Sequence, residues 1–263
     1  MDLDNFNSPI NSSSVDKFAI KIIRNILPSP FKSHFCLAGG CFKSLIHNKE
    51  PNDIDLWPAS EHDRLTLIDE LVSNGGKIAS EGEFNSVITL PNSNNENHDN
   101  QSNEGIDSKC LLSPEDSMTK NHESCDDLNF KNRVKAKRMG WIVEVTRKCP
   151  SSLEKCLAEF DLVLSCIGVE FWKGNLIQTS IHPEVKQDII NREVNMVKGL
   201  KLHKYNLLSL NRLYRYAEEL DFSVQKSTID LLWTSTYFNK SEIEKCEMLK
   251  SASLSQDDVP III

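Results

Sequence analysis

The sequence predicts an α/β fold: a mixed sheet of about five strands with helices against it, followed by a small helical C-terminal region. Three observations lead there. Short, largely apolar stretches at 35–37, 85–90 and 141–146 read as strands, and stretches of helical period lie between them. The pair Gly39-Gly40 separates a strand from a helix. The clearest helical pattern, at 206–220, comes only after the last strand.

In chain order, residues 15–26 place Phe18, Ala19, Ile22, Ile23 and Ile26 on one helical face with Lys17, Lys21 and Arg24 opposite, and Pro28 and Pro30 end the helix. Residues 35–37 form a strand, Gly39-Gly40 a turn, and 41–47 a helix whose inward stripe is Phe42, Leu45 and Ile46. A second strand carries Asp53 and Asp55, with Ile54 and Leu56 turned into a core. Ser60 caps a helix with the apolar set Leu65, Leu67, Ile68, Leu71 and Val72, which Asn74-Gly75-Gly76 closes. Strands at 77–80 and 85–90 follow, joined at Gly82.

Composition changes at Pro91. Residues 91–130 hold nine acids against two lysines and few large apolar side chains, too little to offset chain entropy, so a disordered acidic insertion is expected. Beyond it, Lys131, Arg133, Lys135 and Lys137 would line one face of a strand, either as a solvated edge or as a basic stripe for a triphosphate or nucleic-acid backbone. Residues 141–148, WIVEVTRK, read as a strand with Ile142, Glu144 and Thr146 on one face. Ser151 or Ser152 starts a helix, 159–171 reads as a strand, and Lys173-Gly174-Asn175 makes a hairpin. His182-Pro183 opens a helix toward Asn191. In 206–220, Leu207, Leu210, Leu213, Tyr214, Ala217 and Leu220 face one way, and Arg212, Arg215 and Glu218 another. A last helix runs from Val224 to about Phe238, and the tail frays after Lys250.

The chemistry concentrates at 35–57. Asp53 and Asp55, side by side on a strand, repel each other, and the usual compensation is a divalent cation, Mg²⁺ favouring carboxylate oxygens plus substrate phosphates. Gly39 and Gly40 allow a tight turn and a close approach, and the helix behind them offers N–H groups to an anion. A phosphate seat and a metal seat thus share one strand-turn-helix-strand unit. Cys41, just after the turn, stands where a helix N-terminus stabilises a thiolate.

Gly39, Gly40, Cys41, Phe42, Lys43 and Ser44, followed 13 residues after the second glycine by Asp53-Ile54-Asp55-Leu56, resemble the opening motif of the DNA polymerase beta type nucleotidyltransferase superfamily, in particular the head domain of its tRNA nucleotidyltransferase and poly(A) polymerase branch. Lys43 stands for the family's arginine, keeping a cation without the bidentate fork, and Ser44 for an aspartate. Val143-Glu144-Val145-Thr146 resembles the family strand that brings a third acid to the metal. Phe160-Asp161 occupies the neighbourhood of a later motif whose paired arginines are here Ala158 and Glu159. The resemblance implies transfer of a nucleoside monophosphate from an NTP to a hydroxyl with release of pyrophosphate. Asp53, Asp55 and Glu144 would be metal ligands, with Asp161 a further catalytic candidate. Gly39, Gly40, Lys43 and Ser44 would be the substrate-binding set, and Mg²⁺ or Mn²⁺ the cofactor. The acceptor is left open between RNA, protein and a small molecule. A base-reading helix motif of the CCA-adding kind is missing. The alternative reading, from another class, is a non-catalytic nucleotide-binding or protein-interaction module that keeps the fold.

The totals set bounds. The 263 residues suffice for one substantial domain with a helical annex: a nucleotidyltransferase-like domain at 1–198, a helical region at 199–250 and a flexible tail at 251–263. No apolar run reaches membrane-span length and the first residues are acidic and polar, so a cytoplasmic protein without membrane contact is expected. Eight cysteines without a CxxC pair argue for reduced thiols rather than a zinc ribbon or disulfide framework. Most of the net charge of −8 sits in the acidic insertion, so the remainder neither demands nor forbids a nucleic-acid partner.

Overall fold

A computed structural model describes residues 10–51, 53–91, 140–198, 207–238, 240–251 and 259. The acidic stretch beyond Pro91 and the basic stripe at 131–137 lie outside the described residues. The first helix, α1 (Ser12–Ile26), opens on a capping box: the Asn11 side chain accepts from the Ser14 backbone N–H at 2.9 Å, and the Ser14 hydroxyl lies 3.1 Å from the Asn11 N–H. Its buried stripe is Val15, Ala19, Ile22, Ile23 and Ile26. Then come β1 (His34–Ala38), α2 (Cys41–Ile46), β2 (Ile54–Pro58), α3 (Glu61–Ser73), β3 (Lys77–Glu81), β4 (Asn85–Pro91) and β5 (Gly140–Thr146). The second half contains α4 (Leu153–Leu157), a 3₁₀ turn at Val163–Ser165, β6 (Ile167–Trp172), β7 (Asn175–Ile181), α5 (Val185–Asn191), β8 (Glu193–Val194), α6 (Leu208–Leu220), β9 (Ser223–Val224), α7 (Lys226–Thr236) and α8 (Glu242–Ser251).

Seven strands, two more than expected, form one sheet in the order β3-β4-β5-β2-β1-β6-β7. Only the β2–β5 pair is parallel; the other neighbours are antiparallel. The two faces of this sheet differ. Phe35, Leu37, Ile54, Leu56, Val143, Val145, Val169 and Phe171 look into the main core, which α1, α2 and α3 complete through residues such as Ile22, Phe42 and Leu67. The opposite face carries a small apolar cluster, Cys36, Ala38, Leu153 and Cys156 with Trp57 and Phe160 against it. It is this lightly covered face that holds Asp55 and Glu144.

Gly168 on β6 shows why α4 fits there. A Cβ at that position would lie 2.7 Å from Leu153 Cδ1 and 3.1 Å from Leu157 Cδ2, so a side chain there would have to displace the leucine ends by which the short helix packs on β6. The β6–β7 hairpin turns on Lys173 (φ 50) and Gly174 (φ 79), two left-handed residues that match strand twist in a two-residue loop. The hairpin joining β4 to β5 brackets residues 92–139: Pro91 is the register partner of Gly140, so both ends of that stretch meet at one rung of the ladder.

Several expectations need correction. Residues 159–166 are not strand. Phe160 folds back over Trp57 with ring centroids 5.4 Å apart, Leu162 bridges Met196, and β6 starts only at Ile167. Every residue from Asp161 to Phe171 is buried, so no period-two signal could separate strand from turn. In α6 it is Tyr216 that is buried, while Tyr214 is 39% exposed; the inward row Leu210, Leu213, Tyr216, Leu220 keeps helical spacing better. Asp53 precedes β2 rather than standing in it, and α8 was not anticipated. Among the described residues no helix is long and apolar enough to cross a membrane.

Candidate active site

Asp55 and Glu144 are register partners on the parallel strands β2 and β5, so their side chains leave the sheet on the same face. Glu144 is 8% exposed and accepts a hydrogen bond from Asn85 Nδ2 on the neighbouring β4. Asp55 Oδ2 points at the glycine turn, 3.7 Å from where a Cβ on Gly39 would sit. An acid of β2 thus faces the turn, and a second carboxylate stands on the adjacent strand.

Gly39 has φ +92, a left-handed conformation that disfavours any side chain, and its N–H donates to the Ile167 carbonyl at 3.2 Å. Aromatic rings close in on the turn. Phe160 Cε1 would be 2.8 Å from a Gly39 Cβ, and the Tyr216 hydroxyl 3.3 Å from a Gly40 Cβ. The two glycines thus serve packing as well as any ligand. Sequence pattern alone had no means to register those rings, which come from positions 121 and 176 residues downstream.

Lys43 lies in the first turn of α2. Its ammonium contacts Glu219 on α6 and rests 4.6 Å from the centroid of the Tyr216 ring. Burial, then the nearby Arg215 charge, pull it down to about 8, with Asp53 opposing. Asp53 is thus in electrostatic reach of Lys43. Ser44 is buried in α2, where its carbonyl accepts the Lys49 N–H at 2.8 Å. Cys41 is also buried, and desolvation followed by the Asp55 charge raises its pKa well above the ordinary thiol value, so it is a protonated core residue and not an activated nucleophile.

Asp161 is 3% exposed and belongs to a different set of contacts. Its Oδ2 accepts from Ser209 Oγ at 2.6 Å and from Arg212 Nη2 at 2.5 Å, both on α6. Tyr216 on the same helix receives a hydrogen bond from Ser165 Oγ at 3.0 Å. Asp161 and Lys43 therefore act as two anchors that hold α6 to the sheet domain beside the glycine turn. Arg212, Arg215, Tyr216 and Glu219 are the residues that complete the surroundings of the site.

Among the described residues no three His, Cys, Asp or Glu side chains gather closely enough to hold a metal ion, so Asp53, Asp55 and Glu144 do not form a three-acid cage. Two carboxylates on one face remain, a donor set that fits Mg²⁺ delivered with a polyphosphate, since that ion takes one or two protein carboxylates and fills its shell with phosphate and water.

The fold and the site define a class: a mixed α/β protein whose central parallel strand pair presents two carboxylates beside a glycine turn. A family model for the Gabija anti-defense 2 proteins matches residues 13–192, and the chain belongs to that family. No curated protein matches it in sequence. Among solved structures it is similar to a tRNA nucleotidyltransferase complexed with a primer tRNA and an incoming ATP analog, at 15% identity and TM-score 0.47, covering 83% of this chain and 49% of that one. It is also similar to a CCA-adding enzyme with CTP (12%, TM-score 0.48, 96% and 49%) and to the Bacillus stearothermophilus CCA-adding enzyme with CTP (16%, 0.43, 81% and 42%). The chain spans less than half the length of these structures.

Proposed function

We propose that the chain is a metal-dependent nucleotidyltransferase that moves a nucleoside monophosphate from an NTP to a hydroxyl acceptor and releases pyrophosphate. The single observation that supports this most is the pairing of Asp55 with Glu144 across parallel strands, with Asp55 facing the Gly39 turn. In this reading Asp55 and Glu144 hold Mg²⁺ or Mn²⁺ with the triphosphate, and Asp53 adds negative charge at the entrance to β2. When bound, the cation polarises the phosphoryl oxygens and eases departure of pyrophosphate. Lys43 receives a phosphate oxygen as it parts from Glu219, and the Gly39-Gly40 turn leaves room for the polyphosphate. Asp161 acts through α6: by holding Arg212 it fixes the helix that carries Arg215 and Tyr216.

A specific observation favours a second reading, a nucleotide-binding or interaction module without turnover: Lys43 is already engaged by Glu219, and the three acids do not converge. Incubating the purified chain with α-labelled NTPs, Mg²⁺ or Mn²⁺, and RNA, protein or small-molecule acceptors separates the two. Transfer of label that is lost in Asp55→Asn and Glu144→Gln supports the enzyme. Saturable nucleotide binding without transfer to any acceptor supports the module. Membership of the Gabija anti-defense 2 family supplies a cellular readout: if this site carries the anti-defense role, the same two variants lose it in cells bearing Gabija.

A further inference from the structure

Apart from the carboxylate pair and the glycine turn, a cleft of about 520 Å³ opens between α5, β8 and α7, and none of the candidate active-site residues lines it. Its polar wall includes Glu184, Asp188, Glu193, Asn195, Lys198 and Gln225. Asp188 is the informative member. It is 3% exposed; Oδ1 accepts from Asn195 Nδ2 at 2.9 Å, the Asn195 backbone N–H also faces the carboxyl, and among the described residues Oδ2 has no hydrogen-bond partner. The other two acids of the wall have hydrogen-bond partners: Lys198 Nζ is 2.5 Å from Glu184 Oε1, and Gln225 Nε2 donates to Glu193 Oε2 at 3.1 Å. A carboxylate withdrawn from water with one oxygen unserved is costly, and Lys198, the cation of the cleft wall among the described residues, is paired with Glu184.

We propose that this cleft binds a small organic cation with primary ammonium or guanidinium groups, one of whose N–H donors completes Asp188 Oδ2. Three features select that class. The wall carries three acids against one lysine. Those acids do not converge on a point as a metal ion requires, which suits charges borne on separate nitrogens. Met196, Val197 and Leu231 supply an apolar strip for the methylene chain of an aliphatic amine. Burial raises the Asp188 carboxyl above its ordinary value against the lowering effect of the Asn195 hydrogen bonds, and a cation seated in the cleft would bring it back down.

The test is isothermal titration of the full chain with spermidine and with agmatine, with Mg²⁺ alone and a lysine-rich peptide as comparisons. The expected result is saturable binding of one or both amines, weakened at least about tenfold by Asp188→Asn, with little effect of Mg²⁺. Thr228→Trp, which fills the cleft from α7, should abolish the same binding and guards against an Asp188 variant that fails to fold. Absence of binding by both amines, equal affinity in Asp188→Asn or Thr228→Trp, or binding of the peptide alone overturns the proposal.

Discussion

Arg212 Nη2 lies 2.5 Å from Asp161 Oδ2 and ties together positions 51 residues apart. The two sides of this ion pair are unequal, because Asp161 is almost wholly buried while the Arg212 side chain is 42% exposed. Removing the arginine leaves a buried carboxylate with Ser209 as its remaining side-chain partner among the described residues; removing the aspartate leaves a guanidinium whose half-exposed end water can reach, though its Nε is buried. Arg212→Ala should therefore cost about 3 kcal/mol and Asp161→Ala about 1–2 kcal/mol. Urea unfolding of both single variants and the double variant checks this, and equal losses would contradict the burial argument.

Gly39→Ala should be worse than an ordinary loop substitution. The left-handed backbone alone costs an alanine about 1–2 kcal/mol, and the Phe160 ring must then move as well. Phe160→Leu, by removing the ring, should recover part of the loss in a Gly39→Ala background. Thermal midpoints of the four combinations measure the coupling.

Lys43 gives the site a pH dependence. With its ammonium lowered to about 8, it is charged below that value and neutral above. Triphosphate affinity should fall as the pH rises through about 8, while in Lys43→Arg it should stay flat because a guanidinium keeps its proton. Titrations with a fluorescent ATP analogue across that range decide it, and a parallel decline in the arginine variant would assign the effect elsewhere.

For the carboxylate pair the expected signature is kinetic. Asp55→Asn and Glu144→Gln should each lower kcat by about a hundredfold or more with the fold intact by circular dichroism, as fits groups that bind charge in the transition state. Asp53→Asn, whose acid lies outside β2, should act more weakly and mainly on KM. Rate measurements at saturating Mn²⁺ for all three would show whether that order holds.

Much of the scaffold was legible in the residues. Asn85 to Leu90 and Trp141 to Thr146 read as strands and are strands, and the Ser60 cap and the Asn74-Gly75-Gly76 stop bound α3 as read. The position of Glu144 followed from a motif whose strand does lie beside β2. What could not be read was tertiary. The stretch around Phe160 is apolar on all sides, and its path is set by the space over Trp57 and Gly39. The engagement of Lys43 by Glu219 joins residues 176 positions apart, and no local spacing encodes it. That Asp161 meets Ser209 and Arg212 of α6 was equally unreadable, because sequence does not tell which distant side chain an acid will face.

The rung formed by Pro91 and Gly140 has a consequence for how the protein can be dissected. Because departure and return occur at neighbouring points of the ladder, the 48 intervening residues form a detachable excursion, and its length has no lever on the pairing of Val87 with Glu144 further along. A chain in which a two-residue Asn-Gly link replaces 92–139 should keep the sheet and gain about 3 kcal/mol of loop-closure entropy at most, seen as a raised thermal midpoint. The proposed nucleotidyl transfer could then be assayed with and without that stretch, and transfer that survives the excision belongs to the sheet and its glycine turn.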